Sequence, residues 1–239
     1  DGNLQHQTTM EFPAADNIAE SSFNEGAAQF IDLNLDGRSD IITTVSEPGT
    51  DTYLKVCRNM SRSFPNQGFV AHFSCASYMM PYQTENNTIF ASRDHRLMDV
   101  NGDRLPDYLL LQGKTICIYE NQGNIRGGDQ NGLMFGRPNP ETDKCGNGLY
   151  VDLEDFPDLD DDSLFSSANQ LEFTDINGDG IADLFGIANP SNASTSTIKL
   201  WQGTGDGQFH TTAIDIPLKI YISGSTSRIR LSDIDGDGQ

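Results

Sequence analysis

With 35 acidic and 15 basic residues among 239, the chain has a formal net charge of −20. Phosphate backbones repel such a polyanion, which excludes nucleic acid as a partner, and no run approaches the ~18 apolar residues of a membrane span. An apolar share of 36% with 23 glycines, laid out as short apolar runs between Gly, Asn, Asp and Ser, is the texture of a loop-rich all-β protein.

Taken in chain order, the first strong signal is FIDLNLDGRSDI at 30–41, an acidic turn between apolar residues, followed by the β-branched run 41–45. A strand-like run at 53–57 and a hairpin carrying Gly68 and Phe69 come next. The pattern then restarts: LMDVNGDRLPDY at 97–108, a strand at 115–119, and Phe135-Gly136 in the hairpin phase. A third copy, FTDINGDGIADL at 173–184, leads to a strand at 197–201 and a hairpin at 206–209. The segment 206–217 resembles 1–13, so the chain opens in the same phase. A fourth copy, LSDIDGDGQ at 231–239, stops before its ninth position. The first aspartates, Asp32, Asp99, Asp175 and Asp233, are spaced by 67, 76 and 58 residues. Between the second and third copies, residues 152–162 hold seven acids, read as an exposed insertion.

Each unit thus reads as strand, acidic loop, strand, turn, strand, Gly-containing hairpin, strand. Repeats with four strands each suit the blades of a β-propeller. The expected fold is all-β, about three and a half four-stranded antiparallel blades over 1–239, with approximate units 1–66, 67–133, 134–206 and a partial 207–239. A closed ring needs more blades, so the remaining blades or neighbouring subunits are expected to complete it.

The shared pattern is D-x-(N/D)-x-D-G-x-x-D. Calcium is a hard cation that takes six to eight oxygens, and alternate positions of a tight loop can bring oxygens to one point. Positions 1, 3, 5 and 9 supply side-chain oxygens and position 7 a carbonyl. The first loop offers Asp32, Asn34, Asp36 and Asp40 with the carbonyl of Arg38. The second offers Asp99, Asn101, Asp103 and Asp107 with that of Leu105. The third offers Asp175, Asn177, Asp179 and Asp183 with that of Ile181, and the truncated fourth keeps Asp233, Asp235, Asp237 and Gln239. Glycine after position 5 permits positive φ at Gly37, Gly180 and Gly238; Arg104 stands there in the second loop, where strain or an altered loop is expected. An EF-hand is excluded, because its position 12 needs a bidentate Glu and flanking helices, and these loops have Thr43, Leu110 and Gly186 there between strands.

On these residues the chain resembles the FG-GAP/VCBS repeat family, the blades of integrin-α-type propellers and of many secreted or surface proteins, over nearly its whole length. The third repeat has a looser likeness to T-cell immunomodulatory-type surface proteins. The resemblance implies calcium in an outer hairpin loop of each blade, and a ring that is usually seven-bladed. Three functional readings stay open. The first is a non-enzymatic extracellular or cell-surface module, with structural calcium, that binds a protein or glycan partner. The second is a subunit of an extracellular filament or sheath. The third is a carbohydrate-active enzyme whose active site lies outside this fragment.

The four cysteines include no C-x-x-C pair, which argues against zinc. Cys57 and Cys75 flank one hairpin and Cys117 and Cys145 flank the next, so adjacent strands can bring each pair within bridging distance; four buried thiols are the alternative. Three N-x-S/T sequons, at Asn59, Asn86 and Asn192, are about as many as composition alone yields, and they only permit glycosylation. His6, His72, His95 and His210 are scattered, with no nucleophile–base arrangement. Trp201 falls in the phase of Tyr119 and Cys57 and reads as blade core.

Overall fold

The computed structural model describes residues 28–45, 53–64, 68–70, 72–80, 95–112, 115–123, 134–136, 145, 149–152, 171–188 and 195–219. Asn86, Asn192 and the fourth loop, Asp233 to Gln239, lie outside them, as do residues 153–162 of the acidic insertion. Among the described residues there is no helix, hence none long and apolar enough to cross a membrane.

The strands are β1 (Ala28–Ile31), β2 (Asp40–Val45), β3 (Tyr53–Asn59), β4 (Arg62–Phe64), β5 (Gly68–Val70), β6 (Phe73–Met79), β7 (His95–Met98), β8 (Asp107–Gln112), β9 (Thr115–Tyr119), β10 (Leu149–Asp152), β11 (Leu171–Thr174), β12 (Asp183–Ala188), β13 (Thr197–Trp201) and β14 (Ile214–Pro217). They form three four-stranded antiparallel sheets in the orders β1-β2-β3-β6, β7-β8-β9-β10 and β11-β12-β13-β14. Each sheet is an up-and-down meander whose first hairpin is an acidic loop. A two-stranded ribbon, β4-β5, sits in the connection between β3 and β6.

The second strand of each meander is rich in β-branched, large aliphatic or aromatic residues, as pleated surfaces favour. In β2 five consecutive residues are buried, so both faces of that strand are covered. The pairing places Ile41 opposite Cys57, Tyr108 opposite Tyr119, and Leu184 opposite Trp201. Cys57, Tyr119 and Trp201 therefore hold the same slot, and all three are fully buried. Trp201 is a core residue of its sheet, as its phase in the sequence indicates.

The chain divides into two compact units, one of Asp1–Ala91 with Gly123–Met134, the other of Ser92–Gln122 with Phe135–Gln239. The first holds the first sheet, with a small apolar cluster of Ile41, Cys57 and Phe73 edged by Ala28 and Cys75. The second holds the other two sheets. These share one core, in which Leu109, Leu111, Ile116 and Ile118 of one sheet join Leu184 and Trp201 of the other. Phe135 and Phe209, the aromatic residues of the Gly-containing hairpins, are buried, and each makes an isolated bridge, to Asn121 and Gly203 respectively.

Both cysteine pairs are disulfides, 57–75 and 117–145. They are not equivalent in position. Cys57 and Cys75 lie directly opposite each other on paired strands, whereas Cys117, two residues before the Tyr119 slot, is bonded to Cys145 outside the named strands.

Candidate metal centre

The three described acidic loops share one backbone design. Position 4 and position 6 are left-handed in each: Leu35 (φ 58°) and Gly37 (78°), Gly102 (78°) and Arg104 (74°), Gly178 (76°) and Gly180 (83°). Only the third loop has glycine at both. Arg104 thus takes the glycine conformation and the loop is not rerouted. The strain expected at position 6 has a counterpart at position 4, where Leu35 occupies a conformation that a branched side chain resists.

The side chains at positions 1, 3 and 5 turn onto their own loop's backbone. Asp32 Oδ2 accepts the Gly37 N–H (2.8 Å), Asp99 Oδ2 the Arg104 N–H (2.7 Å), and Asp175 Oδ2 the Gly180 N–H (2.8 Å). The Oδ1 of Asn34, Asn101 and Asn177 accepts the N–H of Asp36, Asp103 and Asp179 at 3.0, 2.9 and 2.9 Å. The position-5 aspartates in turn accept the N–H of Arg38, Leu105 and Ile181 at 3.1, 2.8 and 2.8 Å. Short polar side chains favour such local turns because they reach the backbone two residues on.

Position 9 behaves differently. Asp40, Asp107 and Asp183 are fully buried. One oxygen of each accepts the N–H of position 2, Leu33, Val100 or Ile176, at 3.1, 3.3 and 3.1 Å. The other accepts an N–H at the exit of the third strand, from Asn59, Asn121 or Gly203, each at 2.8 Å. A single carboxylate thus ties the loop's entry, its exit and the strand beyond. Burial raises the Asp40 carboxyl above the usual range, and it pushes Asp107 up to about 7 despite the two N–H donors. Asp36 moves the other way, held down chiefly by its hydrogen bond from the Arg38 guanidinium.

The residue at the strand exit also grips position 8. Asn59 Nδ2 donates to the Ser39 carbonyl (3.0 Å) and Asn121 Nδ2 to that of Pro106 (3.2 Å). The third sheet has Gly203 there, and a Cβ on it would lie 2.4 Å from the Ala182 carbonyl oxygen. The backbone has moved in where the side chain is missing. The Asn59 sequon is therefore part of the loop's framework: its Oδ1 also accepts the Ser61 N–H (3.0 Å), and Ser61 is buried.

The donors suit a hard cation in kind, being carboxylate and amide oxygens with no thiolate or imidazole among them. Among the described residues, however, no three Asp, Glu, His or Cys side chains converge as a ready-made metal cage. The oxygens are engaged by the loop's own N–H groups, and an ion would have to use their remaining lone pairs.

Residues 175–239 match the family model described as an FG-GAP-like repeat, a span that holds the third loop and the fourth. Among curated proteins none matches the sequence. Of solved structures, one similar chain is an Agrocybe aegerita lectin, described as showing specific recognition of non-reducing terminal N-acetylglucosamine. The identity is 17% and the TM-score 0.36, with 79% of this chain covered. The match spans about half, 52%, of the lectin chain. A likeness at that level carries no argument about what this chain binds.

Proposed function

We propose that this FG-GAP-like repeat protein is an extracellular module of propeller blades, in which calcium holds the hairpin loops and exposed loops engage a protein or glycan partner. One observation carries the reading: the same loop geometry recurs at the same register of three four-stranded meanders. A fold that repeats an acidic loop so closely repeats a task. Asp32, Asn34, Asp36 and Asp40, with Asp99, Asn101, Asp103 and Asp107, and Asp175, Asn177, Asp179 and Asp183, are the residues whose side chains would hold the ion, together with the carbonyls of Arg38, Leu105 and Ile181. When bound it supplies the positive charge that lets three carboxylates share one short loop. The two disulfides suit an oxidising compartment, and the net charge of −20 directs the module away from polyanions.

Thermal melting in calcium and in EDTA tests the metal. An ion that binds only the native state at about 100 times its Kd stabilises by about 2.7 kcal/mol, a shift of roughly 5–10 °C for a chain of this size. An unchanged melting curve overturns the calcium part of the reading. The partner is tested by probing glycan arrays and cell surfaces with the labelled chain. Binding that appears in calcium and fades in EDTA is expected; the absence of binding to either overturns the recognition role.

A further inference from the structure

The first loop differs from the others at the position-5 carboxylate. In the second and third loops the Asn side chain at position 3 donates Nδ2 to that carboxylate, Asn101 to Asp103 at 3.2 Å and Asn177 to Asp179 at 2.8 Å. In the first, a guanidinium holds the place. Arg38 Nη2 lies 2.8 Å from Asp36 Oδ2 and its Nε 3.3 Å from Oδ1. Arg58 reaches the same Oδ2 from the end of β3, at 3.4 Å. Asn34 Nδ2, which would make the bond seen in the other loops, is buried without a hydrogen-bond partner. Sequence explains the difference. Position 7 is Arg38 here but Leu105 and Ile181 in the other loops, and the strand position equivalent to Arg58 holds Glu120 and Gln202.

We propose that the first loop carries its own cation: Arg38, backed by Arg58, fills at Asp36 the role that calcium fills in the second and third loops, so the first loop keeps its structure when calcium is withdrawn. The inference rests on the calcium reading for the contrast between loops, and on the arginine geometry for the first loop itself. A two-point guanidinium–carboxylate contact is the strong form of an ion pair, and a guanidinium cannot shed its charge near neutral pH. A divalent ion arriving at Asp36 meets two fixed positive charges that the other loops lack at the equivalent positions. The chain's calcium sites are therefore unequal.

Hydrogen exchange on the full chain separates the possibilities, read on peptides covering 28–45, 95–112 and 171–188. In EDTA the second and third loops are expected to exchange about tenfold faster, and the first to change less than about twofold. In the double variant Arg38→Gln with Arg58→Gln, the first loop becomes sensitive to EDTA and calcium restores its protection. Trp201 fluorescence checks that the second unit is still folded in the variant. The inference is overturned if the wild-type first loop loses protection in EDTA as the others do, or if the double variant keeps that loop protected in EDTA. Should no wild-type loop respond to EDTA, the calcium reading fails. The arginine role then stands if the double variant loosens the first loop and falls if it does not.

Discussion

The two units apply one loop and one strand ladder to different cores. In the first, a disulfide runs through a small apolar cluster of Ile41, Cys57 and Phe73, with Cys57 inside and Cys75 at its edge. In the second, two sheets bury eleven residues together, among them Trp201. The slot shared by Cys57, Tyr119 and Trp201 shows the exchange most directly: in the second unit an aromatic ring fills it, and in the first a cysteine held in a covalent bond does. The hydrogen-bonded frame sets where a residue sits, but not the kind of interaction that holds the sheet there.

Replacing the largest side chain in the shared core probes that contrast hardest. Trp201→Ala should cost about 3–5 kcal/mol, with faster hydrogen exchange over both 95–112 and 171–188. Loss confined to 171–188 would show that the two sheets do not depend on a common core. Removing a disulfide comes next. Closed loops of 18 and 28 residues give similar chain-entropy costs, about 3 kcal/mol each. The pair Cys57→Ser with Cys75→Ser should nevertheless cost more in urea unfolding than Cys117→Ser with Cys145→Ser, because its cysteines pack directly with Ile41 and Phe73 in an apolar cluster. Equal costs would mean that the small cluster adds nothing beyond the cross-link. The smallest effect lies in the backbone of the loops. Leu35→Gly and Arg104→Gly each relieve a non-glycine residue at positive φ and should raise stability by about 1 kcal/mol, read as a small rise in melting temperature. No gain would show that the loop absorbs these residues without strain.

Much of this was legible beforehand. Apolar residues on either side of each acidic loop marked the strands, because a hairpin buries one face through residues spaced by two. The cysteines flanking each hairpin indicated the pairing, and the phase of Trp201 placed it in the core. Three things were harder to read. Positive φ at position 4 was masked by Leu35, although Gly102 and Gly178 stand in the same column. The aspartates of position 9 look like the others in sequence, yet strand pairing buries them and commits both their oxygens to backbone N–H groups at 2.8–3.3 Å. The turn of Arg38 onto Asp36 depends on a two-residue reach within a curled loop, which spacing alone does not reveal.

The buried aspartate at the base of each loop has a practical consequence for anyone who would transplant it. The nine-residue motif is not a portable cassette, because its last side chain is anchored to a backbone donor some twenty residues downstream in the first and third sheets. The smallest transferable insert runs from the strand before the loop to the residue at the exit of the third strand, Ala28 to Asn59 in the first sheet. A shorter graft would carry the acids into a new host and leave behind the donor that keeps them in place.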